Sequence, residues 1–390
     1  MGLTIACVFN DVAVRRHCLD RSLDAYTGSV EVQRVFVDNT AHAHTSAGSA
    51  LNHAARQAVH DTVVMVHQDV YLHDVDRLAE AAEWLSDTRW GLLGSSGVTA
   101  QRQWAGRMRD RVTLIGAPAP APVAVDTLDE VLVMARREDL LAEPLSEDPE
   151  LAWHAYAVEY ALRMRARGRL AGAVDTAITH NSLTINLARL DEAHRHVADT
   201  YPAAVPIHTT CGTVGARAPR WRQLPVVRDH LWRRRWLQQS PTAARVRARL
   251  GVTSVLADIA HEVDLLAWSA DEPLHLVNLD RTGGFVERAG GPVVLERRGR
   301  PIEMSAVGSL PDLHAALAGR DASDRVLVTG LRVEDLDDLR ASVHGDRWIA
   351  GVHGGEVCLV GGPPALDPPA EWDRPQAVPL GAGRSRVLAR

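Results

Sequence analysis

Lysine is missing from this chain, and apart from histidine every basic side chain is arginine. Walker-type phosphate binding, the protein-kinase mechanism and the Schiff base of pyridoxal phosphate all depend on a lysine side chain. These mechanisms are therefore excluded for this sequence.

Cysteine is scarce, and the four residues Cys7, Cys18, Cys211 and Cys358 lack the close spacing of a metal-binding motif. We expect free thiols and a cytoplasmic protein. No stretch approaches the roughly 18 consecutive apolar residues of a transmembrane helix. The sequence also shows no basic-then-apolar leader, so we expect neither a membrane span nor secretion.

Basic charge is not in excess, since 43 Lys and Arg stand against 49 Asp and Glu. This balance does not indicate a general nucleic-acid-binding surface, and we expect no nucleic-acid partner. With 390 residues, of which 46% are hydrophobic, the chain has enough apolar content for more than one domain core.

Residues 62–72 (TVVMVHQDVYL) combine a run of β-forming residues with a cluster of metal-competent side chains. The apolar run predicts a buried strand, and His67, Gln68 and Asp69 follow at its carboxyl end. In open α/β sheets ligands bind beyond the carboxyl ends of the strands, so we expect Asp69 to face such a crevice. The pattern also fits a strand that simply emerges into solvent.

Strand and helix patterns alternate around this segment. LTIACVF predicts a strand that ends before Asn10 and Asp11, and a helical pattern follows. QRVFVDNT predicts a second strand, after which Thr45 or Ser46 caps a helix that extends up to Asp61. This order is typical of an α/β fold with a mostly parallel sheet flanked by helices. No glycine-rich turn follows the first strand, so the dinucleotide-binding fingerprint is absent.

In this order, these segments resemble the nucleotide-sugar-binding half of GT-A glycosyltransferases, especially bacterial family-2-like members. The resemblance continues through WGLLGSSGV, VDTLDEVLVMARRE, WHAYAVEYALRMRARG and ITHNS, so that it covers roughly the first half of the chain. It implies a GT-A-like fold and the transfer of a sugar from a nucleotide diphosphate to a hydroxyl group.

The resemblance implies a divalent metal site for Mn²⁺ or Mg²⁺. Asp69 is the first candidate ligand, and His180 matches the late histidine that completes the metal site in many GT-A enzymes. Where the family usually has Asp-x-Asp, this chain has His67-Gln68-Asp69, so His67 binds the metal, the nucleotide or neither. Carboxylate, imidazole, water and phosphate form a suitable ligand set for these cations.

Nucleotide and sugar contacts are expected near the carboxyl ends of the predicted strands. The candidates are Phe9, Asn10, Asp11, Asp38, Asn39, Asn52, Gln68 and Asp129. The resemblance assigns the base or ribose to Asp38, although Asp38 and Asn39 also fit an ordinary strand-end turn. Asp126 joins Asp129 as a candidate for the sugar or acceptor pocket, because a charged residue within a strand-like run is costly to bury.

Activation of the acceptor hydroxyl requires a general base. Family-2 enzymes often place a Glu-Asp pair at the start of the helix predicted by WHAYAVEYALRMRARG, and this chain has Tyr156 and Ala157 there. The predicted base is either Glu159 or His154. Glu159 also fits an ion pair with Arg163, one turn further along the helix.

The sequence predicts four segments: a GT-A-like catalytic domain (1–205), a helical connector rich in arginine and tryptophan (206–270), a smaller α/β domain (271–365) and a flexible tail (366–390). The connector's arginines and tryptophans fit either a contact with an anionic partner or packing on the catalytic domain. In the small domain we predict strands at LHLVNL, GFVERA, PVVLERR, RVLVTG, WIAGV and EVCLVGG, with helices around 310–317 and 333–343. This domain is expected to bind the acceptor, cover the active site or form a homodimer.

The expected activity is metal-dependent transfer of a sugar from a nucleotide-sugar donor, such as a UDP-sugar, to a saccharide, lipid-linked or small-molecule hydroxyl acceptor. The resemblance favours inversion at the anomeric carbon. Two alternatives remain: a catalytically silent nucleotide-sugar-binding protein on the same scaffold, and a nucleotidyltransferase, although the latter usually has a glycine-rich basic loop after its first strand.

Overall fold

We describe the protein from a computed structural model. The structure describes residues 2–110, 113–181, 189–215, 274–281, 293–297, 300–321, 324–331, 335, 338–339, 348–353, 356–361 and 386–389. They fall into two compact units: the first holds residues 2–110 and the described residues of 115–215, and the second holds residues 113–114 and the described residues from 274 onward.

The first unit is built on a mixed sheet. The strands up to residue 214 are β1 (Gly2–Phe9), β2 (Glu31–Asp38), β3 (Thr62–Val66), β4 (Val70–Leu72), β5 (Trp90–Gly94), β6 (Gly97–Val98), β7 (Trp104–Ala105), β8 (Met108–Asp110), β9 (Thr113–Ile115), β10 (Val123–Val125), β11 (Thr127–Leu128), β12 (Leu132–Arg136), β13 (Leu170–Ala173), β14 (Ile178–His180), β15 (Ile207–Thr209) and β16 (Gly212–Val214). Seven of them form the central sheet, in the order β10-β13-β5-β12-β3-β1-β2.

The helices of this unit are α1 (Val12–Arg15), a π-helical segment (Arg16–Asp20), α2 (Arg21–Ala25), α3 (Ala47–Gln57), α4 (Val75–Glu83), a 3₁₀ turn (Trp84–Ser86), α5 (Arg137–Ala142), α6 (Tyr156–Ala166) and α7 (Leu190–Thr200). They cover both faces of the sheet, because the side chains of each strand alternate between two cores. On β3, Val63 and Met65 pack with α3 and α6 residues, whereas Val64 and Val66 pack with α4 residues. The predicted α/β fold, with a mostly parallel sheet flanked by helices, is confirmed.

Strand β12 lies antiparallel between β3 and β5 and interrupts the parallel order. It pairs Leu132 with Val66, and beyond this pair the Val131 carbonyl accepts a hydrogen bond from the His67 amide at 3.0 Å. The turn that precedes β12 therefore lies beside the turn that follows β3. Sequence patterns predicted one strand-like run through this region, but the structure breaks it into β11 and β12.

Helix α3 begins at the predicted Ser46 cap, whose hydroxyl accepts a hydrogen bond from the Ser49 amide at 3.2 Å. It ends at Gln57, before the predicted end near Asp61, because Ala58 adopts an extended conformation. Strand β2 begins two residues before the predicted segment and ends at Asp38. Smaller sheets join β4 with β14 and β8, and β11 with β6 and β7, while β15 and β16 form a hairpin.

The second unit contains another mixed sheet of seven strands, in the order β22-β21-β20-β17-β19-β18-β23. Its elements are β17 (Leu274–Leu279), β18 (Val293–Arg297), β19 (Arg300–Val307), α8 (Leu310–Ala318), β20 (Arg325–Thr329), β21 (Trp348–His353), β22 (Glu356–Gly361) and β23 (Arg386–Ala389). Five predicted strands and the helix near 310–317 correspond to these elements. Strand β19 was not predicted, because its polar residues and proline interrupt the apolar pattern.

Some predictions lie wholly or mostly outside the described residues. These are the GFVERA strand, the helix at 333–343, the tail and all but the first part of the connector. Cys7, Cys18 and Cys211 are free thiols. No helix within the described part of the chain is both long and apolar enough to span a bilayer.

Candidate metal and nucleotide-sugar site

The three predicted metal ligands meet at the carboxyl end of β3. His67, Asp69 and His180 each offer a ligand atom, and these atoms all lie within 4.8 Å of one another. His67 and Asp69 belong to the turn between β3 and β4, and His180 ends β14, which pairs with β4. The pairing of His180 with Val70 holds the histidine at this edge.

His180 connects two carboxylates. Its Nδ1 lies 2.9 Å from Asp110 Oδ1, and its Nε2 lies 3.5 Å from Asp69 Oδ1. Asp110 sits at the end of β8, which pairs in parallel with β14. When Nδ1 donates to Asp110, Nε2 is the nitrogen that faces Asp69, as in metal sites where an outer carboxylate orients a histidine ligand.

The facing atoms of Asp69 and His180 lack other partners. Asp69 Oδ1 and His180 Nε2 are shielded from solvent and have no hydrogen-bond partner among the described residues. A distance of 3.5 Å is too long for a strong hydrogen bond. Buried polar atoms are nearly always satisfied, so these two atoms are suited to binding a ligand between them. Imidazole and carboxylate are suitable donors for Mn²⁺, so the residues fit the predicted metal.

The electrostatics of the cluster favour charged Asp69 and His180. Burial disfavours the carboxylate, but His180 outweighs this effect and the pKa of Asp69 lies well below its usual range. Burial alone would lower the pKa of His180, yet Asp69 and Asp110 raise it to about 10. Burial lowers the pKa of His67, which favours its neutral form. A metal would therefore have to displace a proton from His180 Nε2.

Gln68 links the turn after β3 to the turn after β1. Its Oε1 accepts hydrogen bonds from the backbone amides of Asn10 and Asp11, each at 3.0 Å. Its Nε2 donates to Asn10 Oδ1 at 2.7 Å. Three predicted donor-binding residues are therefore brought together beside the metal cluster, and Asp11 also caps α1.

The other predicted nucleotide contacts lie at the ends of β1 and β2. Phe9 is buried beneath Arg15, whose guanidinium carbon lies 4.0 Å from the ring centroid. Asp38 is exposed, and the amide and hydroxyl of Thr40 donate to it and lower its pKa. Asn39 makes a local turn with His44 through its side-chain oxygen and nitrogen.

Asn52 is engaged in hydrogen bonds inside the unit. It is 2% exposed, and its amide makes two 2.9 Å hydrogen bonds with the backbone of Leu145. Its nitrogen also donates to Glu147 at 3.0 Å. These contacts tie α3 to the segment that follows α5, and the role of Asn52 in donor binding stays a prediction.

Asp129 and His154 lie within electrostatic range of His67. Asp129 raises the pKa of His67 and His154 lowers it, although burial is the largest influence. Asp129 Oδ1 accepts from the Val131 amide at 3.1 Å, so its side chain also shapes the turn before β12. Asp126 instead pairs with Arg165 at 2.8 Å.

Glu159 is engaged on both oxygens within the interior of the unit. It is 5% exposed, with Oε2 lying 3.0 Å from Arg163 Nη2 and Oε1 accepting from the Tyr201 hydroxyl at 2.6 Å. This is the ion pair that the helical spacing allowed, with a second partner from just beyond α7. The catalytic role of Glu159 stays a prediction.

No protein-family model and no curated protein matches this chain. Solved structures with some likeness include the mannosyltransferase PcManGT from Pyrobaculum calidifontis in complex with GDP-Man and Mn²⁺, at 16% identity and a TM-score of 0.37, with 66% of this chain and 80% of that chain covered. S. aureus TarS shares 16% identity at a TM-score of 0.36, over 51% of this chain and 39% of that chain. Glucosyl-3-phosphoglycerate synthase from Mycobacterium tuberculosis shares 12% identity at a TM-score of 0.34, over 54% and 81%. Structural similarities this weak do not support any conclusion about this chain.

Two carboxylates near the site were not singled out from the sequence. Asp110 follows no recognisable motif, and its contact with His180 spans 70 residues along the chain. Glu130 directly follows Asp129, a predicted contact of the sugar or acceptor, and this position is the one signal in the sequence that could have pointed to Glu130.

Proposed function

We propose that this protein is a metal-dependent glycosyltransferase that moves a sugar from a nucleoside diphosphate to a hydroxyl acceptor with inversion. The observation that carries the proposal is the convergence of His67, Asp69 and His180 at the carboxyl end of β3, with buried, unpartnered atoms on Asp69 and His180. In open α/β sheets, ligands bind beyond the carboxyl ends of the parallel strands.

Each part of the site has a role in this proposal. Asp69 and His180 hold Mn²⁺ or Mg²⁺, with His67 as a further ligand or a contact to the diphosphate. When bound there, a divalent cation would neutralise the negative charge of the diphosphate leaving group. Gln68 orients the turn at Asn10 and Asp11, and this turn and Asp38 contact the nucleoside.

Ligand-dependent thermal stability tests the proposal, because a ligand that binds the native state raises its melting temperature. Wild-type protein is measured with UDP, GDP, CDP and TDP and their glucose or mannose conjugates, with Mn²⁺, with Mg²⁺ and with EDTA. We expect at least one nucleotide to stabilise the protein only when the metal is present. Release of the nucleoside diphosphate from that donor is then measured to detect turnover.

Asp69→Asn is the decisive variant, since it removes the ligand charge with little change of shape. We expect it to lose the metal-dependent part of the stabilisation. Asp87→Asn is the matched control, because Asp87 only pairs with Arg89 on the surface, and it should respond as the wild type does. Retained metal-dependent stabilisation in Asp69→Asn would refute the ligand assignment. Nucleotide binding without turnover would favour the silent binding protein, and no binding at all would refute the proposal.

A further inference from the structure

The turn before β12, which carries Glu130, runs beside the turn that carries His67 and Asp69. Because β12 runs antiparallel to β3, residues before Leu132 lie beside residues after Val66. The hydrogen bond from the His67 amide to the Val131 carbonyl continues this pairing by one step. Glu130 comes next in the chain, so its backbone lies alongside the ligand-bearing turn.

The Glu130 side chain points at the start of α6. Its Oε1 lies 3.4 Å from the Ala157 amide, and the Tyr156 hydroxyl donates to the Glu130 carbonyl at 3.2 Å. The residue that precedes the helix, Ala155, has a left-handed backbone and no side-chain group with which to cap α6. Glu130, in the turn before β12, therefore supplies the capping hydrogen bond that Ala155 cannot make.

The β15–β16 hairpin lies beside the strand that precedes this turn. Thr127 donates to the His208 carbonyl at 2.6 Å and so fixes the β15–β16 hairpin against β11. Burial raises the pKa of the hairpin residue Cys211 to about 11, and the charges of Asp129, Glu130 and Asp110 add to that effect. Asp129 and Glu130 therefore lie within electrostatic range of the hairpin turn, and Asp129 also lies within electrostatic range of His67.

We propose that Glu130 is the general base that activates the acceptor hydroxyl, an inference that rests on the proposed function. The acceptor oxygen bonds to the anomeric carbon while its proton passes to the Glu130 carboxylate. The bond from the anomeric carbon to the diphosphate oxygen breaks, and the nucleoside diphosphate leaves with the electron pair. Glu159 is less suited to this step, because Arg163 and Tyr201 occupy its oxygens.

The surroundings of Glu130 tune it for proton transfer near neutral pH. Burial, followed by the charge of Asp129, raises the pKa of its carboxyl to about 8. A base is most effective when its pKa lies near the working pH. The titratable groups that act on or respond to Glu130 are Asp129 in the same turn, Tyr156 on α6 and Cys211 on the hairpin.

The test compares Glu130→Gln with the wild type in release of UDP or GDP from UDP-glucose, UDP-N-acetylglucosamine and GDP-mannose with Mn²⁺, with water as acceptor. Glutamine keeps an oxygen that accepts from the Ala157 amide but cannot take a proton. We expect kcat to fall by about 10²–10⁴-fold with KM unchanged, and the acidic limb of the pH–rate profile to disappear. Nucleotide-dependent stabilisation should match that of the wild type.

Two further variants separate chemistry from helix capping. Glu130→Asp keeps a carboxylate, so it should retain an acidic limb at a reduced rate even if the Gln variant folds poorly. Glu138→Gln is the control, because Glu138 is exposed in the following helix, and it should behave as the wild type does.

The possible outcomes distinguish the base from the proposed function. If wild-type protein releases nucleotide and Glu130→Gln does so within about twofold, the base assignment is overturned while the proposed function stands. If Glu130→Gln loses both nucleotide binding and turnover, Glu130 acts as a structural cap of α6. The base assignment is then overturned as well. If the wild type turns over none of the donors, the proposed function fails and the base assignment fails with it.

Discussion

Replacing Glu159 with alanine should destabilise the first unit, because Glu159 links α6 to Tyr201 through buried charged hydrogen bonds. Removing one partner of a buried ion pair costs about 3–5 kcal/mol. In this variant Arg163 still donates to the Pro144 carbonyl at 2.7 Å and still lies 3.9 Å from the Glu143 carboxylate. Because the guanidinium keeps these partners, we expect a cost near the lower end of that range. Tyr201→Phe removes one hydrogen bond to a charged group and should cost about 1.5–3 kcal/mol.

Urea denaturation followed by tryptophan fluorescence measures these free energies of unfolding. For a unit of this size each kcal/mol shifts the melting temperature by about 2–4 °C, so Glu159→Ala should melt roughly 6–12 °C below the wild type. Because both variants break the same cluster, the double variant should lose less than the sum of the two single losses. Glu192→Gln, which breaks an exposed pair with Arg189, should cost about 0.5 kcal/mol or less.

One result would refute this reasoning. If Glu159→Ala unfolds at the same urea concentration as the wild type but no longer releases nucleotide, Glu159 acts in catalysis and its buried contacts contribute little to stability. That result would support Glu159 as the base, one of the two residues that the sequence allowed for this role beside His154.

Two further predictions concern stability. Folding raises the pKa of Glu130 from 4.5 to about 8, so the folded protein binds a proton that the unfolded chain has released at these pH values. The free energy of unfolding therefore falls as the pH rises from about 4.5 to about 8. Glutamine does not titrate, so the free energy of unfolding of Glu130→Gln should increase relative to that of the wild type by up to about 1.4 kcal/mol for each unit of rising pH in this range. Urea titrations at several pH values measure this difference, and a difference that does not change with pH would contradict the prediction. Asn52→Ala leaves the buried Leu145 amide and carbonyl unpaired and should cost about 1–3 kcal/mol for each group. Its nucleotide-dependent melting shift should remain unchanged, and loss of that shift would instead place Asn52 in the donor site.

Local patterns were sufficient for most elements of the first sheet. The apolar runs at β1 and β3 predict buried strands because both faces of each strand are covered by helices. Ser46 marks the start of α3, since its hydroxyl satisfies an amide that the helix leaves unpaired. Polar residues interrupt β19, so its place in the second sheet depends on pairing with β17 and β18.

Local patterns predicted the wrong length for several elements. The end of α3 and the break between β11 and β12 depend on backbone conformations that the side-chain pattern does not encode. Helix α6 starts at Tyr156 after a left-handed Ala155, a conformation that alanine does not favour and that surrounding contacts must impose.

By itself, the sequence determined that no lysine side chain takes part in a reaction, that His67-Gln68-Asp69 follows β3, and that strands alternate with helices. These features follow from composition and periodicity, which are local properties of the chain. Only the tertiary structure decided which distant side chains meet. The antiparallel insertion of β12 brings Glu130 beside that turn, and β14 brings His180 to Asp69 and Asp110. Strand pairing joins residues far apart in the chain, so no local pattern specifies these contacts.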